Sequence, residues 1–143
     1  MTKNNIARRN TLKKRHPMHR ACYNKDIKKV KEILKDKKFN INVRDADNFT
    51  PLMNACHKGS LEIVKLLLKH PKVKINARSK NGKTPLFFAA AAGHSKIVKY
   101  LINQGANPNI KEKKNRKCTR RKPFDIAQIC SRKKIMNILN NKK

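Results

Sequence analysis

Apolar residues recur along this chain in short segments whose spacing matches one face of an α-helix. Residues 61–68 have the sequence LEIVKLLL, and residues 96–102 have the related sequence KIVKYLI. Because residues three and four positions apart lie on the same side of a helix, both segments are predicted to be amphipathic helices. Lys65 and Lys99 fall on the polar side, where we expect them to contact water.

A second kind of predicted helix precedes these segments and begins at a proline. Prolines at positions 17, 51, 85 and 123 are separated by 34, 34 and 38 residues. Thr50 and Thr84 precede two of them, and a threonine hydroxyl caps the free amides of a helix that starts with proline. Small residues that allow close helix packing follow at Ala21-Cys22, Ala55-Cys56, Ala89-Ala90 and Ala127-Gln128.

Turn-forming residues separate the two kinds of helix and complete a repeating unit. Gly59 and Gly93 stand where the first helix must end, and glycine ends helices readily in a left-handed conformation. After the second helix, Asp47-Asn48 and Asn81-Gly82 are typical turn formers. The unit is therefore predicted to be helix, turn, helix and hairpin-like loop.

The third unit resembles the ankyrin repeat, from Asn81-Gly82-Lys83-Thr84-Pro85-Leu86 through Gly93-His94 to Gly105-Ala106-Asn107, and the second unit is nearly as close. The resemblance covers roughly residues 16–140. It implies an all-α fold, an ankyrin-repeat solenoid of about four helix-turn-helix repeats with hairpin loops and a concave face. The expected repeats are about 16–44, 45–78, 79–111 and 112–140, flanked by a basic flexible extension at 1–15 and a basic end at 141–143.

The outer units differ from the inner ones as the ends of a solenoid should. Lys29 and Glu32 occupy the positions of Ile63 and Leu66 one repeat later, so one flank of the first helix pair is predicted to face solvent. In the last unit, Asn140 replaces the equivalent of Leu68. Lys25 and Ser131 stand where glycine is expected, and we expect looser turns there.

Basic residues greatly outnumber acidic residues, so the surface is predicted to be strongly positive. The chain has 38 Lys and Arg against 8 Asp and Glu, for a net charge of +30. An AT-rich genome would explain abundant Lys and Asn, but it would also raise Glu, of which there are three. This imbalance favours a polyanionic partner. Lysine exceeds arginine by 28 to 10, which suits phosphate neutralisation better than base recognition.

The positive charge is concentrated in the N-terminal tail, on the second helices and in a loop at 111–122. That loop lengthens the last hairpin by about five residues. The tail is either a disordered RNA-binding arm or a mitochondrial leader, although it lacks serine and a clear apolar face. The loop has the alternative interpretation of a solvated charge run. The candidate nucleic-acid-binding residues are Arg8, Arg9, Lys13, Lys14, Arg15, Lys111, Lys113, Lys114, Arg116, Lys117, Arg120, Arg121 and Lys122.

Four residues are candidates for contact with a partner protein. Tyr23 and Phe49 fall at repeat positions that are typically exposed in the groove, and His57 and Lys58 lie beside them in the second unit. Aromatic rings of this kind could also stack on bases. Core packing is sufficient to explain Phe88.

Catalytic and metal chemistry find little support. The acidic residues form no catalytic constellation, and no phosphate-binding GxxxxGK[ST] run occurs. His16, His19 and Cys22 have a spacing that suggests a metal site. The resemblance instead implies that His19 supports neighbouring loops by hydrogen bonding and that Cys22 packs in the stack. We expect no enzyme, no metal and no cofactor.

Two further observations indicate the cellular compartment in which the protein is expected. No apolar run approaches the ~18 residues that span a bilayer, and no secretory leader is evident. Cys22, Cys56, Cys118 and Cys130 form no CxxC pair, which is typical of buried thiols in a reducing compartment. The expectation is a soluble intracellular protein without membrane contact.

Together these features predict a non-catalytic structural subunit of a ribonucleoprotein particle. The leading assignment is a ribosome, cytoplasmic or mitochondrial, in which the chain is a monomer within a larger assembly. It would grip ribosomal RNA phosphates and contact a neighbouring protein. The alternative is an ankyrin adaptor that binds an acidic protein segment through its concave face. Nuclease-sensitive absorbance at 260 nm in the purified protein would separate the two.

Overall fold

The computed structural model describes residues 16–113 and 120–141. This part of the chain contains eight helices and no strand, which confirms the predicted all-α fold. The helices are α1 Pro17–Tyr23, α2 Ile27–Ile33, α3 Pro51–Lys58, α4 Leu61–Leu68, α5 Pro85–Ala92, α6 Ser95–Asn103, α7 Pro123–Ile129 and α8 Lys133–Asn140. The predicted extension at 1–15 and the last two residues lie outside the described range.

The first helix of each central repeat begins as the sequence predicts. Met53 N donates to Thr50 Oγ1 at 3.4 Å, and Phe87 N donates to Thr84 Oγ1 at 3.2 Å. Each threonine thus satisfies an amide that the first turn leaves without a helical partner. The proline that follows lacks an N–H and adds no unsatisfied donor there.

Left-handed residues end these helices in all four repeats. Gly59 and Gly93 have φ of 82° and 85°. Lys25 and Ser131 stand at the equivalent positions with φ of 58° and 54°. The two turns thus have the same left-handed conformation as the glycine turns, although this conformation has a steric cost for Lys25 and Ser131.

The helices form two layers. The inner layer consists of α1, α3, α5 and α7, which pack directly on one another, and α2, α4, α6 and α8 pack behind them. Ala55, Ala89 and Ala127 are fully buried between inner helices, so the helix backbones can approach closely. Both layers supply larger core side chains, such as Leu52 and Leu86 from the inner helices and Ile63, Leu67 and Leu101 from the outer helices. The core is consequently thin and continuous along the stack.

The ends of the stack are polar on their outer sides. In α2, Val30 is the one buried residue, and Lys29 and Glu32 are exposed and form an ion pair at 3.0 Å. Asn140 is exposed at the end of α8. Both substitutions place polar groups where no further repeat packs within the described residues, as the sequence indicates.

The hairpin loops are linked by side chains that recur once per repeat. Arg44 Nη1 donates to Arg78 O at 2.8 Å, and Arg78 Nη2 donates to Lys111 O at 2.9 Å. Asn42 and Asn76 form a second series, in which Lys74 N donates to Asn42 Oδ1 and Asn107 N donates to Asn76 Oδ1, both at 2.8 Å. Each loop is therefore held to the next by hydrogen bonds to the backbone.

Candidate protein-binding groove

One register position on the four inner helices forms a row across the face turned away from the outer helices. Its members are Tyr23, His57, Ala91 and Ile129, which we call the groove row. Ile129 is 63% exposed, and it is the one large apolar side chain that is exposed in the described part of the chain. An exposed apolar side chain on a structured face is a common feature of interaction surfaces.

The four predicted protein-binding residues meet at the first half of this face. Lys58 Nζ lies 4.0 Å from the centroid of the Tyr23 ring, within the range of a cation–π contact. The Phe49 ring lies 4.8 Å from the Phe88 ring, and the His57 ring lies 6.1 Å from it. The structure thus brings Tyr23 to Lys58, and joins Phe49 and His57 through Phe88.

Phe49 and Tyr23 are less accessible than we expected. Both are half-buried rather than exposed, because Phe49 packs on Phe88 and Tyr23 lies under Lys58. Phe88 itself is 9% exposed, so it belongs to the core and also forms part of the groove floor. The sequence assigned Phe88 to the core alone. Its place one repeat after the polar Asn54 was the available signal.

The electrostatics of the groove depend mainly on Lys58. Burial lowers the pKa of His57, and the positive charges of Lys58 and His94 lower it further. The His94 ring Nε2 donates to His57 O at 3.1 Å, which fixes the two residues together. His57 is therefore neutral near pH 7, and the ammonium of Lys58 supplies the positive charge.

The two halves of the groove have different chemistry. The first half carries Lys58 on the Tyr23 ring and the exposed Arg20, whereas Ala91, Ala92 and Ile129 line the second half. Ala91 and Ala92 have small side chains and are half-buried, and they lie between the exposed His57 and Ile129 along the row. This arrangement can accept a segment with a carboxylate at one end and an apolar side chain at the other.

The predicted nucleic-acid-binding residues divide into two sets. Arg8, Arg9, Lys13, Lys14, Arg15, Lys114, Arg116 and Lys117 lie outside the described residues. Lys111, Lys113 and Arg120 are exposed, and Lys122 is half-buried with its Nζ 3.5 Å from Asn109 Oδ1.

Arg121 differs from the other described basic residues of the loop because it has an acidic partner. Its Nε donates to Glu112 Oε1, and Lys83 Nζ lies 3.7 Å from Glu112 Oε2. The Glu112 side chain is 3% exposed, so its charge needs these partners. Arg121 is thus committed to a buried ion pair, and we remove it from the phosphate-binding candidates.

The residues that suggested a metal site have structural roles. His16 Nδ1 accepts from Met18 N at 3.2 Å, and the fully buried His19 contacts Phe49 O through Nε2. Within residues 16–113 and 120–141, no group of three or more His, Cys, Asp or Glu side chains is placed to hold a metal ion. Burial raises the pKa of the Cys22 thiol to about 12. Burial also raises the pKa of the Cys56 thiol, and the charge of the nearby Cys22 thiolate raises it further. Both thiols are buried and free.

The family model for ankyrin repeats in three copies matches residues 18–112 and also residues 72–142. The chain therefore belongs to the ankyrin-repeat family, whose members act in general as non-catalytic protein-interaction modules. A search of curated proteins finds no match to the chain. No helix in the described ranges is long and apolar enough to cross a bilayer.

Proposed function

We propose that this chain is an interaction module that binds an acidic, partly apolar segment of a partner protein in its concave groove. The observation that carries the proposal is the polarity of the groove, with Lys58 and Tyr23 at one end and the exposed Ile129 at the other. A carboxylate of the partner would lie at Lys58. An apolar side chain of the partner would fill the space beside Ala91 and Ile129.

The distribution of acids supports an acidic partner. Glu32 and Glu62 pair with Lys29 and Lys31 on the outer helices, and Glu112 is buried in the hairpin of the last repeat. None of these carboxylates reaches the groove. In the described part of the chain Lys58 forms no ion pair, and its ammonium rests on the Tyr23 ring instead. A carboxylate from outside would thus meet a cation that is not neutralised.

Affinity capture from native lysate after nuclease treatment tests this function. The wild type is compared with the groove variant Lys58→Glu/Ile129→Ser and with Lys99→Glu, which reverses a charge on α6. We expect the groove variant to lose its partner by about tenfold or more, since truncation of central contacts costs on the order of 1–2 kcal/mol or more. The Lys99→Glu variant should retain it. Equal retention by both variants would place the partner elsewhere.

A second candidate function is RNA binding as a structural subunit of a ribonucleoprotein particle such as a cytoplasmic or mitochondrial ribosome. The observation that favours it is the excess of 38 basic over 8 acidic residues, with Lys111, Lys113 and Arg120 exposed on one loop. RNA affinity should then fall steeply with salt, because each phosphate contact releases a counterion. Neutralising Lys111, Lys113 and Arg120 together should reduce the slope of log affinity against log salt by roughly 0.7–0.9 per lost contact. An unchanged slope would remove this candidate.

A further inference from the structure

Two adjoining cavities lie beside the hairpin that joins the third and fourth repeats. One has a volume of about 370 Å³ and the other about 450 Å³, and Lys111 and Arg120 line both. Lys122 adds a cation to the first, and Arg78 and Lys113 add cations to the second. We call these five residues and the space between them the basic cleft.

Backbone hydrogen bonds hold the walls of the basic cleft together. Glu112 N donates to Arg121 O at 2.9 Å, which brings the two sides of the hairpin together beside the space that Lys111 and Arg120 line. Lys113 N donates to Asn81 O at 2.8 Å, so the cleft is also attached to the preceding hairpin. Arg78 is fixed by its hydrogen bonds to Lys111 O and Gly82 O.

The acids that line the basic cleft are already engaged. Glu112 is buried and paired with Lys83 and Arg121, and Asp125 Oδ2 accepts from Lys122 N at 2.7 Å at the start of α7. Lys111, Lys113 and Arg120 have no acidic partner in the described ranges. Because like charges close together repel, an anion in the cleft would relieve this repulsion.

We propose that the basic cleft binds a phosphate monoester. Such a group carries nearly two negative charges and three acceptor oxygens, which match several converging cations better than one carboxylate does. The first cavity also has an apolar wall formed by Pro108, Phe124 and Leu139. This wall suits the organic part of the ligand, whether it belongs to a phosphorylated side chain or to a free phosphorylated small molecule.

The cleft favours a monoester over an RNA chain for two physical reasons. RNA phosphates are diesters with one charge each, and a chain of them needs an open track of cations. The basic cleft is instead a local recess with an apolar side. None of its lining residues belongs to the groove row, so this site does not depend on the proposed protein-binding function.

Amide chemical shifts of the folded full-length protein test the proposal. The probes are inorganic phosphate, O-phosphoserine, a short phosphoserine peptide, its unphosphorylated form and oligouridylate of comparable charge. We expect saturable shifts confined to amides near Lys111, Arg120 and Phe124, with the phosphopeptide binding at least about tenfold more tightly than its unphosphorylated form. Equal affinity for O-phosphoserine and the phosphopeptide would indicate a small-molecule ligand, and preference for the peptide would indicate a phosphorylated protein.

Two matched double variants distinguish specific binding at the basic cleft from non-specific attraction to the positive surface. Lys111→Gln/Arg120→Gln removes two exposed cations from the cleft, and Lys96→Gln/Lys99→Gln removes two exposed cations from α6. The cleft variant should lose at least about tenfold in phosphopeptide affinity while its melting temperature stays within experimental error, and the α6 variant should keep its affinity. Equal losses in both variants would overturn the proposal. So would wild-type shifts spread over all lysine-rich surfaces, or tighter binding of oligouridylate than of the phosphopeptide at the cleft.

Discussion

His19 Nε2 donates a hydrogen bond to Phe49 O across 2.8 Å, joining the first inner helix to the hairpin that leads into the second. His19 is fully buried, so the carbonyl that it contacts has little access to water. In the next two repeats Met53 and Phe87 occupy the equivalent position, and neither can form this bond. The hydrogen bond between the first inner helix and the second hairpin therefore depends on one imidazole, and it adds to the helix packing between these repeats.

Replacing this imidazole should weaken the first repeat. We expect His19→Leu to reduce the free energy of unfolding by about 1–3 kcal/mol, because the Phe49 carbonyl loses its donor in a buried position. Urea denaturation followed by circular dichroism measures the change. Arg20→Ala, at the exposed neighbouring residue on α1, is the control and should change the free energy by less than about 0.5 kcal/mol. Equal stability of His19→Leu and wild type would show that the bond contributes nothing.

The buried carboxylate of Glu112 provides a second prediction. Glu112→Gln leaves Lys83 and Arg121 without their counter-charge at partly buried positions, and should destabilise the protein by roughly 3 kcal/mol. Glu32→Gln is the matched control, because its pair with Lys29 is exposed and should contribute less than about 1 kcal/mol. The same urea titration compares the two. If both substitutions cost the same, Glu112 is not buried as described.

Thiol reactivity follows from the burial of two cysteines. In a Cys118→Ser background, Cys130 should react with a thiol reagent at once, whereas Cys22 and Cys56 should react only after unfolding. Intact mass counts the modified thiols. Immediate modification of all three would contradict the packing of α1 against α3.

The buried thiols should also make the free energy of unfolding depend on pH in the alkaline range. Burial raises the pKa of the Cys22 thiol from 9.0 to about 12 in the folded state. Unfolded thiols therefore release protons first, and stability present below about pH 9 should decline as the pH rises from 9 toward 12. Cys22→Ala should show a smaller decline between those values. An identical decline in variant and wild type would assign the effect to other groups.

His57, in the groove row, should make the free energy of unfolding depend on pH in the acidic range. Because the folded pKa of His57 lies below 6.5, the unfolded chain binds the proton more readily. The stability contribution of His57 is thus complete above about pH 6.5 and is lost as the pH falls from that value toward the folded pKa. The difference in unfolding free energy between wild type and His57→Gln should shrink or reverse between pH 7.5 and 5. A difference that does not vary with pH would show that His57 titrates normally.

Much of the fold could be predicted from the sequence because it repeats locally. Thr50 before Pro51 specifies a helix start within four residues, and Gly59 specifies its end, so neither depends on distant contacts. The recurrence of small residues at one position likewise indicates which helices pack closely. Lys29 and Glu32 show by the same comparison that the first repeat ends the stack.

The groove and the basic loop could be predicted less well from the sequence, because both depend on contacts between residues that are distant in the sequence. The loop at 111–122 has the composition of a solvated charge run, yet Glu112 pairs with Arg121 across the base of the hairpin. No local pattern distinguishes that arginine from its neighbour Arg120. The role of Phe88 was missed for a similar reason, since its contacts come from Phe49 and His57 in the preceding repeat.

The most direct test of the groove is site-specific photo-crosslinking in cells, with p-benzoylphenylalanine at Ala91 in the groove or at Lys99 on α6. We predict that Ala91 crosslinks to one peptide of a partner protein that contains acidic and apolar residues, and that the Lys99 probe does not. Lys58→Glu should abolish the crosslink, and changing the partner's nearest acidic residue to lysine should restore it. Crosslinking that is equal from both positions, that survives Lys58→Glu, or that captures nuclease-sensitive RNA at Ala91 would contradict the proposed groove.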